Sequence, residues 1–166
     1  MNGWEYIEEV TLMLTLLLIL AFCSAAETAY SAANSEKIKA MREEKRFGAK
    51  LAEKLQMRFD DALSSILIAN TIVCITLSSV GAVVFGEIVG NDEYGAAVSG
   101  ALLTVFILLF GEISPKLLAK ESSEKTACFL AFPLYIMTLL LKPLCLMILV
   151  WKSFLMKILK CSADKQ

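Results

Sequence analysis

Histidine does not occur among the 166 residues, which removes the commonest zinc ligand and the usual general base. Charged residues are scarce, at 20%, where an ordinary soluble domain carries about a quarter. They almost cancel, and a net charge of −1 gives no electrostatic case for binding nucleic acid. The five cysteines, Cys23, Cys74, Cys128, Cys145 and Cys161, lack CxxC or any other metal spacing. Cys23, Cys74 and Cys145 lie inside apolar runs and are expected to pack as small hydrophobes, not to form a secreted disulfide framework. A Gly-rich phosphate loop is also missing, so no nucleotide site is expected in this chain. What is there is hydrocarbon: 57% hydrophobic residues and a mean hydropathy of +0.65, against about 45–50% apolar in soluble domains. The length fits one domain, and the composition excludes a disordered chain and points to a membrane protein.

The first apolar run, Val10 to Ala26, follows Glu5, Glu8 and Glu9 with no Lys or Arg before it. A signal peptide has the opposite flank, so the run is expected to stay in the mature chain as a span over about residues 8–34. Residues 35–59 hold eight Lys or Arg among four Glu, with Ile38, Met41, Leu51, Leu55 and Phe59 near helical spacing. This pattern predicts an amphipathic juxtamembrane helix, broken near Gly48. Two further runs predict spans over about 61–89 and 96–118, joined by a short acidic link at 90–95.

From Ala127 to Met156 the chain is again apolar, but Lys142-Pro143 divides it into halves of roughly 14 residues. Proline removes a helical hydrogen bond, and a mid-bilayer lysine costs at least about 2.5 kcal/mol. A helical hairpin or a pair of interfacial or re-entrant helices is therefore expected over 125–158, with Pro133 as a further kink. The fold class expected is all-α and integral to the membrane. Basic residues concentrate in 35–59, at Lys116, Lys120 and Lys125, and at the C-terminal end, while the N-terminus and the 90–95 link have none. Three spans with the N-terminus outside put every basic segment in the cytoplasm.

Several polar residues interrupt these runs. On a helix Ser24, Glu27, Ser31 and Asn34 fall within about an 80° arc, with Ala26, Ala29 and Ala33 on much of the opposite side. Such a face suits a bundle interior. The second run carries Asn70, and the third ends in Phe110-Gly-Glu-Ile-Ser-Pro-Lys116, where Gly111 and Pro115 loosen the helix around Glu112. Counting about 1.5 Å per residue puts Ser24, Asn70 and Glu112 in the same half of a roughly 30 Å core. Hydroxyl, amide and carboxylate oxygens are the ligands of hard cations such as Mg²⁺. The plainer reading is helix-to-helix hydrogen bonding for the hydroxyls and a Glu112–Lys116 bridge one turn apart.

At these residues, Ser24-Ala-Ala-Glu-Thr-Ala29 with Ser31, Ile68-Ala-Asn-Thr71 and Gly111-Glu-Ile-Ser-Pro-Lys116, the chain resembles the transmembrane domain of the CorB/CorC and CNNM family of magnesium transport proteins. The resemblance implies a homodimer in contact with membrane lipids, located in the bacterial inner membrane. It implies Mg²⁺ export, coupled to Na⁺ entry, through an inward-facing cavity. It also implies Ser24, Ser31 and Asn70 as ion ligands, Glu27 and Glu112 as cavity carboxylates that attract the ion or bind Na⁺, and Gly111, Pro115 and Lys116 as residues that shape the end of the third span. Family members usually continue into CBS nucleotide-binding domains; this chain stops at Gln166 and is expected to contain none, so ATP-linked regulation is not assigned to it.

Two functional classes follow. One is a divalent-cation transporter working by alternating access without covalent chemistry; the other is a non-transporting membrane sensor or assembly module. An intramembrane hydrolase ranks behind both, since neither a histidine base nor a paired nucleophile is evident, and the chain is not expected to be an enzyme.

Overall fold

The computed structural model describes residues 3–89 and 93–163. The acidic link at 90–95 and the C-terminal Lys165 lie partly or wholly outside the described residues. All regular structure among the described residues is helical. Helix α1 covers Gly3–Ala32, α2 Ser35–Glu43, α3 Ala49–Met57, α4 Phe59–Val89 and α5 Glu93–Phe106. A π-helical segment, Ile107–Ile113, joins α5 to α6, Ser114–Glu121, and α7 covers Ser123–Ala163. Three helical stretches, Trp4–Ala32, Phe59–Val89 and Ala97–Glu121, are long and apolar enough to cross a membrane. Where no water competes, backbone groups must pair internally, and a continuous helix is how an apolar run achieves that.

Hydroxyls on these helices are mostly absorbed by their own backbone. Thr11, Thr15, Thr71, Thr76, Ser79 and Thr104 each donate to the carbonyl four residues earlier, at 2.7–3.0 Å. That is the default for a helical Ser or Thr facing lipid.

Helix α1 stops at Ala32 because Asn34 caps α2 instead of extending α1, its Oδ1 accepting from the Glu36 N–H at 2.8 Å. The expected break in the juxtamembrane segment is present: Lys45 and Gly48 both adopt positive φ, 56° and 74°, between α2 and α3. Arg42 then ties α2 to α3 through both carboxylate oxygens of Glu53, at 3.0 and 2.7 Å. Gly48 is needed twice over, because an added Cβ would also collide with the carbonyl oxygen of Cys128 on α7.

Two apolar cores stack along the bundle. At the α2–α3 end, α1, α3, α4 and α7 meet through small side chains, including Ala26, Ala29, Ala52, Ala62, Ala69 and Ala131. Alanine contacts let helix backbones approach closely. Toward the opposite end the packing is bulkier, with Leu17, Leu20, Leu77, Val84, Leu103 and Ile107.

The segment expected as a helical hairpin or pair over 125–158 is one helix, with Pro133 and Pro143 both inside it. An interior proline costs roughly 3 kcal/mol. The helix nonetheless runs through both prolines without a break. Helix α7 packs against α1, α3 and α4. Tyr30 of α1 donates to the Ala127 carbonyl at 3.0 Å, Lys54 of α3 meets Tyr135, and Ser65 of α4 meets Cys145. Its outward side is an apolar stripe of Phe129, Phe132, Ile136, Leu140, Leu144 and Met147, all exposed.

Candidate functional site

The two cores meet at a level marked by Leu20 and Cys23 on α1, Ala69 and Val73 on α4, and Ile107 and Ala119 on the third span. Ser24, Asn70 and Gly111 all fall in that transition. Ser24 is fully buried, and its Oγ lacks a hydrogen-bond partner among the described residues. It does not fold back onto its helix as the threonines do. The Asn70 Oδ1 is likewise buried and unpartnered. An unsatisfied buried oxygen typically costs about 1–3 kcal/mol, so two of them on adjoining helices call for an explanation.

The π-helical segment explains how the third span reaches α1. Pro115 supplies no N–H, and its ring would clash with the carbonyl four residues back. Widening the preceding turn relieves this, and the Ser114 N–H bonds the Leu109 carbonyl, five residues earlier. Gly111 is buried here, and a Cβ on it would come within 2.7 Å of the Leu20 Cδ2, so glycine sets the closeness of α1 to this turn. π-Helical turns are rare and concentrate at functional sites.

Just beyond, Lys116 bridges carboxylates from two elements. Its Nζ lies 3.3 Å from Glu27 of α1 and 3.8 Å from Glu112 of the π segment. The bridge to Glu112 was foreseeable from the one-turn spacing; the shorter one to Glu27 was not. Glu27 and Glu112 are therefore brought together, but around an ammonium. Ser31 is exposed at the end of α1 and does not join them. Thr71, beside Asn70, is spent on the Leu67 carbonyl.

Gln56 was missed in the sequence. Its Nε2 reaches the Tyr30 carbonyl at 3.5 Å, and its Oε1 is buried and unpartnered. A lone amide next to Leu55, on a helix otherwise studded with charge, was its only signal. Two clefts open at the α2–α3 end, and neither is lined by Ser24 or Asn70. No group of three or more acidic or cysteine side chains that could hold a metal ion occurs among the described residues.

The description that decides the family is the Cyclin M transmembrane N-terminal domain, whose family model matches residues 11–166. The chain belongs to the CNNM family. Similar proteins include a UPF0053 protein of Haemophilus influenzae, 34% identical over 158 residues, covering 93% of this chain and 36% of that one. The UPF0053 inner membrane protein YfjD of Escherichia coli is 30% identical over 146 residues, covering 88% and 34% respectively. A further relative, from Mycoplasma pneumoniae, is 27% identical over 136 residues, covering 80% and 32%. The chain thus spans about a third of the length of these curated relatives. UPF0053 proteins belong to the CorB/CorC/CNNM family, and the chain is accordingly an integral membrane protein of that group.

A serine hydroxyl and an amide carbonyl are hard, neutral oxygen donors of the kind that hard cations take.

Proposed function

We propose that this CNNM domain moves a divalent cation, Mg²⁺, out of the cell by alternating access, coupled to Na⁺ entry. The observation that supports it most is the pair of buried, unpartnered oxygens, Ser24 Oγ and Asn70 Oδ1, at the level where the two cores meet. In this reading they are ligands that pair with the ion in transit, and Ser31 is a further ligand at the rim. Glu27 and Glu112 draw cations in, with Lys116 as the resident counter-charge that an arriving Na⁺ displaces. Pro115 and Gly111 hold the wide turn that keeps Glu112 next to Lys116. The charge distribution supports an N-terminus outside and a cytoplasmic C-terminus, and in this reading the domain works as a homodimer in the bacterial inner membrane.

Tracer Mg²⁺ flux from liposomes, with and without an opposing Na⁺ gradient, tests this. Ser24→Ala and Asn70→Ala are each expected to lower flux at least about tenfold, the effect of losing one ligand worth about 1.4 kcal/mol or more. Unchanged flux in both variants rejects the site. A wild-type protein that binds Mg²⁺ yet moves none would instead support the sensor or assembly module.

A further inference from the structure

A cleft of about 200 Å³ lies where α3, α4 and α7 meet, away from the ion-site residues. Its inner wall is apolar and small, with Leu55, Ala62 and the Ser65–Cys145 contact of 3.1 Å at its floor. Three cations ring its mouth: Lys54 from α3, Arg58 from the α3–α4 junction and Lys142 from α7. Arg58 and Lys142 are exposed and make no ion pair among the described residues. Lys54 lies 5.0 Å over the Tyr135 ring, which holds its ammonium at the mouth. Asp61 is the acidic group of the lining and offsets one of the three, leaving an excess of two positive charges.

The position of the cleft defines its ligand. It lies at the first two turns of α4, a helix long and apolar enough to cross a membrane, so its mouth is at the end of a span and its floor faces hydrocarbon depth. A phosphate needs the cations, and an acyl chain needs the floor; a soluble phosphate would have no use for the latter. The cleft is smaller than the roughly 300–1,000 Å³ of pockets for drug-sized ligands. It therefore holds a headgroup and the top of a chain, and Leu139 leads from its lining onto the exposed apolar stripe of α7.

We propose that this cleft seats one anionic phospholipid, its phosphate held by Arg58, Lys142 and Lys54 and its chain lying along α7. Arginine supplies a planar fork matched to phosphate oxygens, and the lysines supply charge. Basic pockets between membrane helices recognise acidic lipid headgroups by this chemistry. The site also gives Lys142 a role that does not place it in hydrocarbon: its head joins the phosphate layer while its stem lies on apolar surface.

Native mass spectrometry of the detergent-purified protein, given phosphatidylglycerol or phosphatidylcholine, tests the proposal. One phosphatidylglycerol per chain is expected to be retained at least about tenfold better than phosphatidylcholine, and inorganic phosphate is expected not to displace it. The double variant Arg58→Gln, Lys142→Gln should lose that preference. Thr138→Phe keeps all three cations and fills the cleft, so it should lose retention as well. Equal retention of the two lipids, displacement by phosphate, or undiminished retention in Thr138→Phe would each overturn the site. So would a second copy of the chain held in place of lipid, seen as a dimer that carries no phosphatidylglycerol and is broken by Thr138→Phe.

Discussion

At Lys116 one ammonium holds two carboxylates that come from different helices, 3.3 Å from Glu27 and 3.8 Å from Glu112. All three side chains are about a quarter to a third exposed, so their coupling falls between an exposed pair at under about 1 kcal/mol and a buried one at about 3–5 kcal/mol. In Lys116→Met the carboxylates are left facing each other. The expected outcome is a lower thermal midpoint in detergent without divalent ions, a loss of about 1–2 kcal/mol, and recovery when Mg²⁺ or Ca²⁺ is added beyond that of the wild type. A midpoint indifferent to added cation would show that the two acids do not form a cation-binding pair. The residue scale is also where the sequence was most readable. Ser24, Asn70 and Glu112 stand out because each is polar in an apolar run, and that contrast needs no knowledge of the fold. The approach of Lys116 to Glu27 was hidden because it joins positions far apart in the chain, and no local spacing reports such a contact.

Among the elements, the turn between α2 and α3 and the start of α7 form one joint. Gly48→Ala meets two obstacles, the positive φ and the Cys128 carbonyl, and is expected to destabilise by at least about 2 kcal/mol, read as a lowered unfolding midpoint. Nearby, the carboxyl of Glu124 is held below the ordinary carboxylate range, first by its own backbone N–H at the start of α7 and then by Lys37 at 3.1 Å. A carboxyl whose folded value is depressed contributes stability above its unfolded pKa and loses it as pH falls toward the folded one. Acidification through the ordinary carboxylate range should therefore weaken the α2–α7 tie, and Glu124→Gln should flatten that part of the midpoint-versus-pH curve. An identical curve for the variant would remove Glu124 from the joint. The helix break near Gly48 was legible because glycine interrupts an amphipathic pattern. The continuity of α7 was not, because Lys142-Pro143 reads as a stop in the sequence, whereas the helix continues through it.

For the whole molecule, three helical stretches are long and apolar enough to cross a membrane, and the proposed direction rests on the basic residues concentrated in 35–59 and after the third apolar run. In a background with the native cysteines replaced by Ser, Trp4→Cys and Phe47→Cys place thiols at two strongly exposed positions, 81% and 83%. A membrane-impermeant maleimide should label Trp4→Cys in intact cells and Phe47→Cys only after the cells are opened; the reverse pattern would invert the topology. The number of helices long enough to cross followed directly from hydropathy. The docking of α7 did not, because it depends on Tyr30, Lys54 and Ser65 finding partners on one distant helix.

The seven residues from Ile107 to Ile113 hold a wider turn than an α-helix would. Returning that stretch to ordinary α-helical pitch would change the register by one residue, and each residue turns a helix by about 100°. Everything downstream, α6 included, would swivel by that step and shift along its axis by about 1.5 Å. Lys116 would be turned away from Glu27, so the wide turn is what aims this ammonium at the carboxylate of α1.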